Sequence, residues 1–283
     1  MKTRTVLTLT VIAALAGCGG GAGSSDRTVV ASFYPLAFAA QQIGAGTEVR
    51  NLTPPGVEPH DLELSGSDVA TIAEAALVLY FGEGFQPALE DAIDSTSAQG
   101  LDLLDAVATR VGAEEEHGVD PHVWLDPVRY AAIAERLGEE LDRRPEAERF
   151  AARLHALDRE FRDGFSDCDR DEFVTSHAAF SYLAERYGLK QVAITGISPE
   201  AEPTPRDLEA VVRQVRSIGA TTVFFETLVS PRLAETVARE VGATTAVLNP
   251  LEGLTEGQIA AGEDYFSVMR ENLAALQEAL GCR

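Results

Sequence analysis

Short apolar runs alternate with amphipathic stretches along most of the chain. Residues 28–33 and 76–81 have the composition of buried strands, and each run precedes a segment with helical spacing of apolar residues. The alternation resumes in the second half and predicts strands at 172–175, 191–194, 222–225 and 245–248. Strands that alternate with helices form parallel sheets covered by helices on both faces.

The middle of the chain has a different pattern. Residues 127–165 read as almost continuous helix, with Pro145 placed where a new helix would start. A helix of roughly 20 residues is about 30 Å long and can bridge two lobes. We therefore predict an α/β protein of two lobes, at 27–126 and 166–283, each a parallel sheet flanked by helices. A long connecting helix within 127–165 joins them.

The first residues predict export. Lys2 and Arg4 precede an uncharged, mostly apolar run at 6–17 that is too short to span a bilayer, which is typical of a signal peptide at 1–17. The small residues before Cys18 resemble the lipobox of bacterial lipoproteins, at which the cysteine is acylated. Residues 18–26 would then be a flexible tether. We expect an extracytoplasmic, lipid-anchored protein; an ordinary secretory signal is the alternative.

The net charge bears on possible partners, and the cysteines bear on a possible disulfide. The formal net charge of −22 argues against a nucleic-acid partner, because the phosphate backbone attracts basic surfaces. Acidic residues scattered over helix faces are ordinarily explained by solvation. Besides Cys18, the chain has only Cys168 and Cys282. In an exported protein such a pair predicts one disulfide, with two reduced thiols as the alternative.

Three of the five histidines, His60, His122 and His177, lie in loops or at the ends of predicted elements. Ligands of open α/β sheets bind beyond the carboxyl ends of the strands, and neutral imidazole is a leading zinc ligand. Three such side chains that converge would form a zinc site, although each could instead be a hydrogen-bonded structural histidine. His117, in an acidic loop, and His155, on the connecting helix, are expected to take no part.

Five short motifs, in order along the chain, resemble those of the zinc and manganese solute-binding proteins of bacterial ABC importers. They are Glu58-Pro59-His60-Asp61, residues 120–127 (DPHVWLDP), Thr175-Ser176-His177, residues 198–203 (SPEAEP), and Glu226 followed by residues 230–235 (SPRLAE). The likeness covers nearly the whole chain after the signal peptide. It implies a monomeric receptor that binds a divalent ion, zinc before manganese, and works with an importer permease in the membrane.

The resemblance also implies which residues bind the ion. His60, His122 and His177 would be ligands in a cleft between the lobes. A histidine at 177 is typical of zinc-type receptors, whereas many manganese-type members have a glutamate there, and carboxylates suit harder ions. Where many relatives have a ligating aspartate after the last strand, this sequence has Asn249, which would supply a neutral oxygen or leave the place to water.

Other residues near these motifs have supporting roles in this interpretation. Glu202 and Glu226 are candidates to hold a ligating imidazole through its other nitrogen. Asp126, before Pro127, is predicted to cap the N-terminus of a helix. Trp124 is expected to pack beside His122.

Two other classes of function need to be weighed against a receptor. A zinc ion on three histidines can activate water for hydrolysis. The sequence contains no His-Glu-x-x-His helix, no Gly-x-Ser-x-Gly elbow and no phosphate-binding glycine loop, so we predict that the protein is not an enzyme. A surface adhesin with the same fold is the second alternative, and it is compatible with metal binding.

Overall fold

The computed structural model of the protein describes residues 28–44, 48–110 and 118–283. The predicted signal peptide, the tether with Cys18, and His117 lie outside the described residues. Among the helices within these ranges, none combines the length and the apolar character that a membrane crossing requires.

The first lobe is built on a four-stranded parallel sheet in the order β2-β1-β3-β4. Its strands are β1 (Val29–Ala31), β2 (Val49–Asn51), β3 (Leu77–Tyr80) and β4 (Gly100–Asp102). Its helices are α1 (Tyr34–Ile43), α2 (Gly66–Glu74) and α3 (Pro87–Thr96). In the register, Val29 lies opposite both Val49 and Leu77. The strand β1 is buried along its whole length, as its apolar sequence predicts.

The second lobe repeats this arrangement with a parallel sheet in the order β6-β5-β7-β8. Its strands are β5 (Glu172–Thr175), β6 (Lys190–Ala193), β7 (Thr222–Phe225) and β8 (Thr244–Val247). Its helices are α6 (Ser181–Tyr187), α7 (Pro205–Ser217), α8 (Arg232–Val241), α9 (Glu256–Ala261) and α10 (Tyr265–Leu280). The predicted class of two α/β lobes is confirmed. Before α6 begins, the N–H of Ala178 donates to the carbonyl of Gly196, which joins the loop after β5 to the loop after β6.

Two helices lead from the first lobe to the second, α4 (Pro127–Glu140) and α5 (Arg144–Gly164). They pack closely against each other, because Gly138 has no side chain: a Cβ there would lie 2.3 Å from the Cβ of Ala147. The long connecting helix of the prediction is α5, and Pro145 stands in its first turn as expected.

Asp126 fixes the start of α4, as its sequence context predicts. Its side chain accepts hydrogen bonds from the backbone N–H groups of Val128 and Arg129. The same carboxylate receives both arms of the Arg186 guanidinium, at 2.8 and 2.7 Å. Because Arg186 belongs to α6, this partly buried ion pair ties the connecting helices to the second lobe.

The two lobes share a hydrophobic core. One cluster of buried residues contains β1 and α1 of the first lobe, α5, and α10 of the second lobe. Trp124 lies within it, donates from Nε1 to the carbonyl of Pro250 at 2.7 Å, and accepts a hydrogen bond from Tyr265 at its own carbonyl. The predicted disulfide between Cys168 and Cys282 is present and joins the start of the second lobe to the end of the chain.

Candidate metal centre

His60 lies in the loop between β2 and α2 of the first lobe. Its backbone N–H donates to the Glu58 carboxylate at 3.0 Å, and the carbonyl of the preceding Pro59 accepts a hydrogen bond from Gln86 Nε2 at 3.0 Å. The ring packs edge-on against Phe85, with the ring centroids 4.8 Å apart. The side chain is 10% exposed. These contacts place the imidazole in the cleft between the lobes.

His122 lies immediately before a short 3-10 helix, Val123–Leu125. Its backbone N–H and its ring Nδ1 both face Asp120 Oδ1, at 3.0 and 2.8 Å. Asp120 is in turn held from the second lobe, where Ser181 donates to its carboxylate and Tyr182 donates to its carbonyl. His122 therefore belongs to the first lobe in sequence but is positioned by the second.

His177 follows β5 and is completely buried. Its Nδ1 lies 2.5 Å from Oε1 of Glu226, the first residue after β7, and Ser176 donates to the same oxygen. Its carbonyl accepts hydrogen bonds from Thr175 and Gln191. The adjacent carboxyl ends of two parallel strands thus supply the imidazole and the carboxylate that orients it.

Glu252 completes the group, from the loop after β8. One of its carboxylate oxygens, Oε1, lies 2.9 Å from Nε2 of His122, 3.3 Å from Nε2 of His60 and 3.4 Å from Nε2 of His177. The four candidate ligand atoms all lie within 4.8 Å of one another. The side chains of His122, His177 and Glu252 have no exposed surface. The three predicted histidines are therefore brought together, with a carboxylate among them.

The hydrogen bonds of His122 and His177 determine which ring nitrogen carries the proton. The Nδ1 of each faces a carboxylate, which can only accept, so Nδ1 is the donor and Nε2 of the neutral ring is a bare acceptor. The two Nε2 atoms lie 3.3 Å apart and both face Glu252 Oε1. Acceptors that face one another repel unless a proton or a metal cation lies between them. The donor set therefore fits a cation.

The carboxylates also change the titration of the two buried imidazoles. Burial opposes a positive charge on His122, but Asp120 and Glu252 outweigh it and raise the pKa of this imidazole. Burial likewise opposes a charge on His177, yet Glu226 and Glu252 hold its pKa well above the ordinary value. In the metal-free protein these imidazoles therefore keep their second proton to a higher pH than an ordinary histidine does, and a metal ion must displace it.

Burial and neighbouring charges also shift the pKa values of His60, Glu252 and Glu58. Burial lowers the pKa of His60, and Glu252 offsets this only in part. Burial raises the pKa of Glu252, but His177 and the other imidazoles hold it well below its usual range. Burial and the charge of Glu252 raise the pKa of Glu58 to about 8. Glu252 is thus the carboxylate that stays ionised at the centre.

The structure places the other predicted residues elsewhere. Asn249 is buried, its Oδ1 accepts a hydrogen bond from the N–H of Leu251, and its backbone pairs with the side chain of Asn272. Glu202 is exposed in the loop between β6 and α7, where it lines a different cavity. His155 is exposed on α5.

Two residues of the site were missed by sequence reasoning. Asp120 stands two positions before His122, a spacing that could have suggested its contact with the ring. Glu252 comes three positions after Asn249, beyond Leu251, which has a left-handed backbone conformation with a φ of 58°. This conformation, which is uncommon for a residue with a side chain, turns the chain and has no sequence signal.

Comparisons with known proteins agree with this geometry. The family described as "Zinc-uptake complex component A periplasmic", ZnuA, matches residues 29–279. The zinc-binding lipoprotein AdcA of Streptococcus pneumoniae is 38% identical over 275 residues, which cover 88% of this chain and 55% of AdcA. The chain therefore spans about half the length of that relative. The high-affinity zinc uptake system protein ZnuA of Bacillus subtilis is 33% identical over 304 residues, covering 94% of this chain and 93% of that protein.

Solved structures give the same result. The laminin-binding protein Lmb of Streptococcus agalactiae, described as bifunctional with adhesin and metal-transporting activity, superimposes with a TM-score of 0.81. It is 30% identical, and the match covers 90% of this chain and 99% of Lmb. Sequence and fold thus agree over almost all of the described residues, and the chain belongs to the ZnuA family, the periplasmic component A of zinc-uptake complexes.

Proposed function

We propose that the protein is an extracytoplasmic receptor that binds Zn²⁺ as its cargo on His60, His122, His177 and Glu252 and delivers it to the permease of an ABC importer. The observation that carries the proposal is the convergence of three Nε2 atoms on one carboxylate oxygen within 4.8 Å. The names of the relatives, zinc-binding lipoprotein and zinc uptake protein, support the choice of cargo.

The donor set favours zinc over manganese. Three imidazole nitrogens and one carboxylate oxygen suit a four-coordinate, borderline ion, whereas manganese prefers more oxygen ligands. Glu252, rather than Asn249, is the fourth ligand in this proposal, because its oxygen already lies among the imidazoles and that of Asn249 is used by the Leu251 N–H.

The same donor set favours a receptor over a hydrolase. Catalytic zinc sites keep a position open for water or substrate, whereas four protein ligands close a tetrahedral shell. Three of the four side chains are fully buried, which suits sequestration of an ion more than turnover of a substrate.

Lipid anchoring through Cys18 and a monomeric state are part of the proposal. The relative described as a lipoprotein supports the anchor. Substitution of Cys18 by Ala is expected to release the mature protein from the membrane fraction. A variant that stays membrane-bound in mature form would contradict acylation at this residue.

The experiment that tests the function is metal analysis of protein purified without added metal. We expect about one zinc per chain by mass spectrometry, and its loss from the His60→Ala, His122→Ala and His177→Ala variants. His155→Ala, on the exposed face of α5, is the matched control and should keep its zinc. If all three site variants bind zinc with unchanged affinity, the proposed receptor function is wrong.

A second candidate function is surface adhesion, which the description of Lmb favours. Binding of laminin to the zinc-loaded and metal-free protein separates this function from metal delivery. Adhesion requires saturable laminin binding in at least one of the two forms.

A further inference from the structure

A cavity of about 240 Å³ opens beside the His60 ring. Residues of both lobes line it, among them Glu83, Phe85, Pro121, Ile197 and Ser198. Of the four candidate ligands, His60 is the one whose side chain has exposed surface, since those of His122, His177 and Glu252 have none. The cavity is therefore the side from which a hydrated cation reaches the ligand atoms.

Glu83 is the only acidic residue among the described residues that line this cavity, and it is exposed. Its backbone has a left-handed conformation, with a φ of 60°. Only a few residues with a side chain adopt this conformation, and an outlier of this kind beside a binding site suggests a functional role. Glycine would adopt the same φ without strain.

The neighbouring glycine explains why the turn has this shape. The N–H of Gly82 donates to Asp102 at 3.1 Å, and a Cβ at Gly82 would lie 2.3 Å from an oxygen of that carboxylate. The Phe85 N–H then closes the turn onto the carbonyl of Gly82 at 3.3 Å. The turn is thus fixed by contacts that do not involve the Glu83 side chain, so this carboxylate is available to the cavity.

The surroundings of Glu83 add to its negative potential. Burial is the main cause of the raised pKa values of Asp102 and Glu90. Backbone hydrogen bonds oppose this rise, and the charges of Glu83 and other acidic neighbours add to it. Fields of one sign at the mouth of a cleft raise the local concentration of counter-ions and the rate of association. The ions attracted here are cations.

We propose that Glu83 is the capture residue of the metal centre: its carboxylate meets an incoming hydrated divalent cation at the cavity mouth before His60 does. The inference rests on the proposed receptor function. Glu83 would contact the cation while it passes through the cavity, but it would not be a ligand of the bound ion. Such a residue lowers the barrier for entry and exit alike, so it changes rates and leaves the equilibrium affinity nearly unchanged.

The test is stopped-flow association of the mature protein with Zn²⁺, followed by the absorbance of a chromophoric chelator. For Glu83→Gln we expect the association and dissociation rate constants to fall together by about threefold to tenfold, with Kd changed less than about twofold. Glu83→Asp keeps the carboxylate and should keep most of the rate. Glu148→Gln is the control. It also removes one negative charge, but from the exposed face of α5 and not from the cavity, so both rate constants should stay unchanged.

Glu83→Gly separates the carboxylate from the turn. Glycine suits the left-handed conformation, so this variant should unfold at the same temperature as the wild type or higher, yet associate with zinc as slowly as Glu83→Gln. Equal rates for Glu83→Gln and Glu148→Gln would overturn the capture role, and so would a rise in Kd as large as the fall in association rate. A wild-type protein that does not bind zinc would instead overturn the receptor function itself.

Discussion

The two lobes have the same strand order but contribute unequally to the metal centre. The second lobe supplies His177 and Glu252, and through Ser181 and Tyr182 it also holds the segment that carries His122. Of the ligands in the first lobe, only His60 is positioned by that lobe's own contacts, in a loop that follows an edge strand. Lobes with the same sheet topology therefore contribute differently to the site.

The difference separates two properties of the site: the fixed orientation of the ligands and the access of the ion to them. The imidazoles of His122 and His177 are buried and each is oriented by a carboxylate, so their Nε2 atoms are preorganised for an ion. His60 is partly exposed and lies beside the cavity that leads to the site. On this basis the second lobe determines affinity and the first lobe determines how the ion enters.

Removal of the ligands tests this division with the largest effects. His122→Ala and His177→Ala are each expected to weaken zinc binding by about three orders of magnitude, or ~4 kcal/mol, because each removes a preorganised ligand. His60→Ala is expected to cost about two orders of magnitude. Competition titrations against a chelator near neutral pH measure these losses, and thermal unfolding of the metal-free variants checks that they fold. Equal losses for all three would abolish the distinction between the lobes.

The next largest losses of zinc affinity are expected from the two carboxylates that orient the imidazoles. Asp120→Asn and Glu226→Gln are expected to weaken zinc binding about tenfold to hundredfold, because the rings lose the partners that fix their proton and orientation. The same titrations provide the measurement. Glu202→Gln, in an exposed loop, is the matched control and should be neutral; a loss there as large as at Glu226 would restore the role that the sequence motif suggested for Glu202.

The pH dependence of zinc affinity should reflect the second lobe. The pKa of His177 is raised, so below that raised value the metal-free ring is protonated and each bound zinc must displace a proton. Affinity is then expected to rise with pH by about tenfold per unit for each proton displaced, and to level off at the raised pKa of His177, which lies above the ordinary histidine value of about 6.5. Titration calorimetry in two buffers of different ionisation enthalpy counts the protons released. Zinc binding that releases none would contradict the raised pKa.

The smallest effect is expected at Asn249. Because the Asn249 side-chain oxygen accepts a hydrogen bond from the Leu251 N–H, Asn249→Asp should change zinc affinity by less than about threefold, although a buried carboxylate there should lower thermal stability.

Glu252→Gln provides the comparison for this fourth position. It should weaken zinc binding at least tenfold, since it removes the anionic ligand. Zinc and manganese titrations of both variants decide between these residues. A marked gain of manganese binding in Asn249→Asp would return the fourth position to Asn249.

The sequence was sufficient to predict both sheets and to single out three histidines that lie together in the structure. Alternating apolar runs predicted both sheets, and the Asp126-Pro127 pair predicted the start of α4, because these features depend on local periodicity and capping. Glu226, a candidate from the family motif to hold an imidazole, does lie beside the ring of His177, because the two residues follow adjacent parallel strands that end at the same edge of the sheet.

The path of the loops could not be predicted in the same way. Asn249 follows the last strand region and was expected to supply a neutral oxygen or to leave the place to water. The chain turns at Leu251 and brings Glu252 to the centre. Glu202 stands in a motif of the family, yet its loop places it in solvent. These positions depend on the path of loops between elements, which no local pattern encodes.

Trp124 gives the protein a built-in optical reporter. It is the only tryptophan of the chain, it is fully buried, and its ring centroid lies 5.2 Å from that of His122. Its indole N–H is bound to Pro250, two residues before Glu252. Indole emission responds to the charge state of a nearby imidazole and to the wetting of the core. A single fluorescence signal therefore follows both loading of the ion and loss of the fold, without any added label.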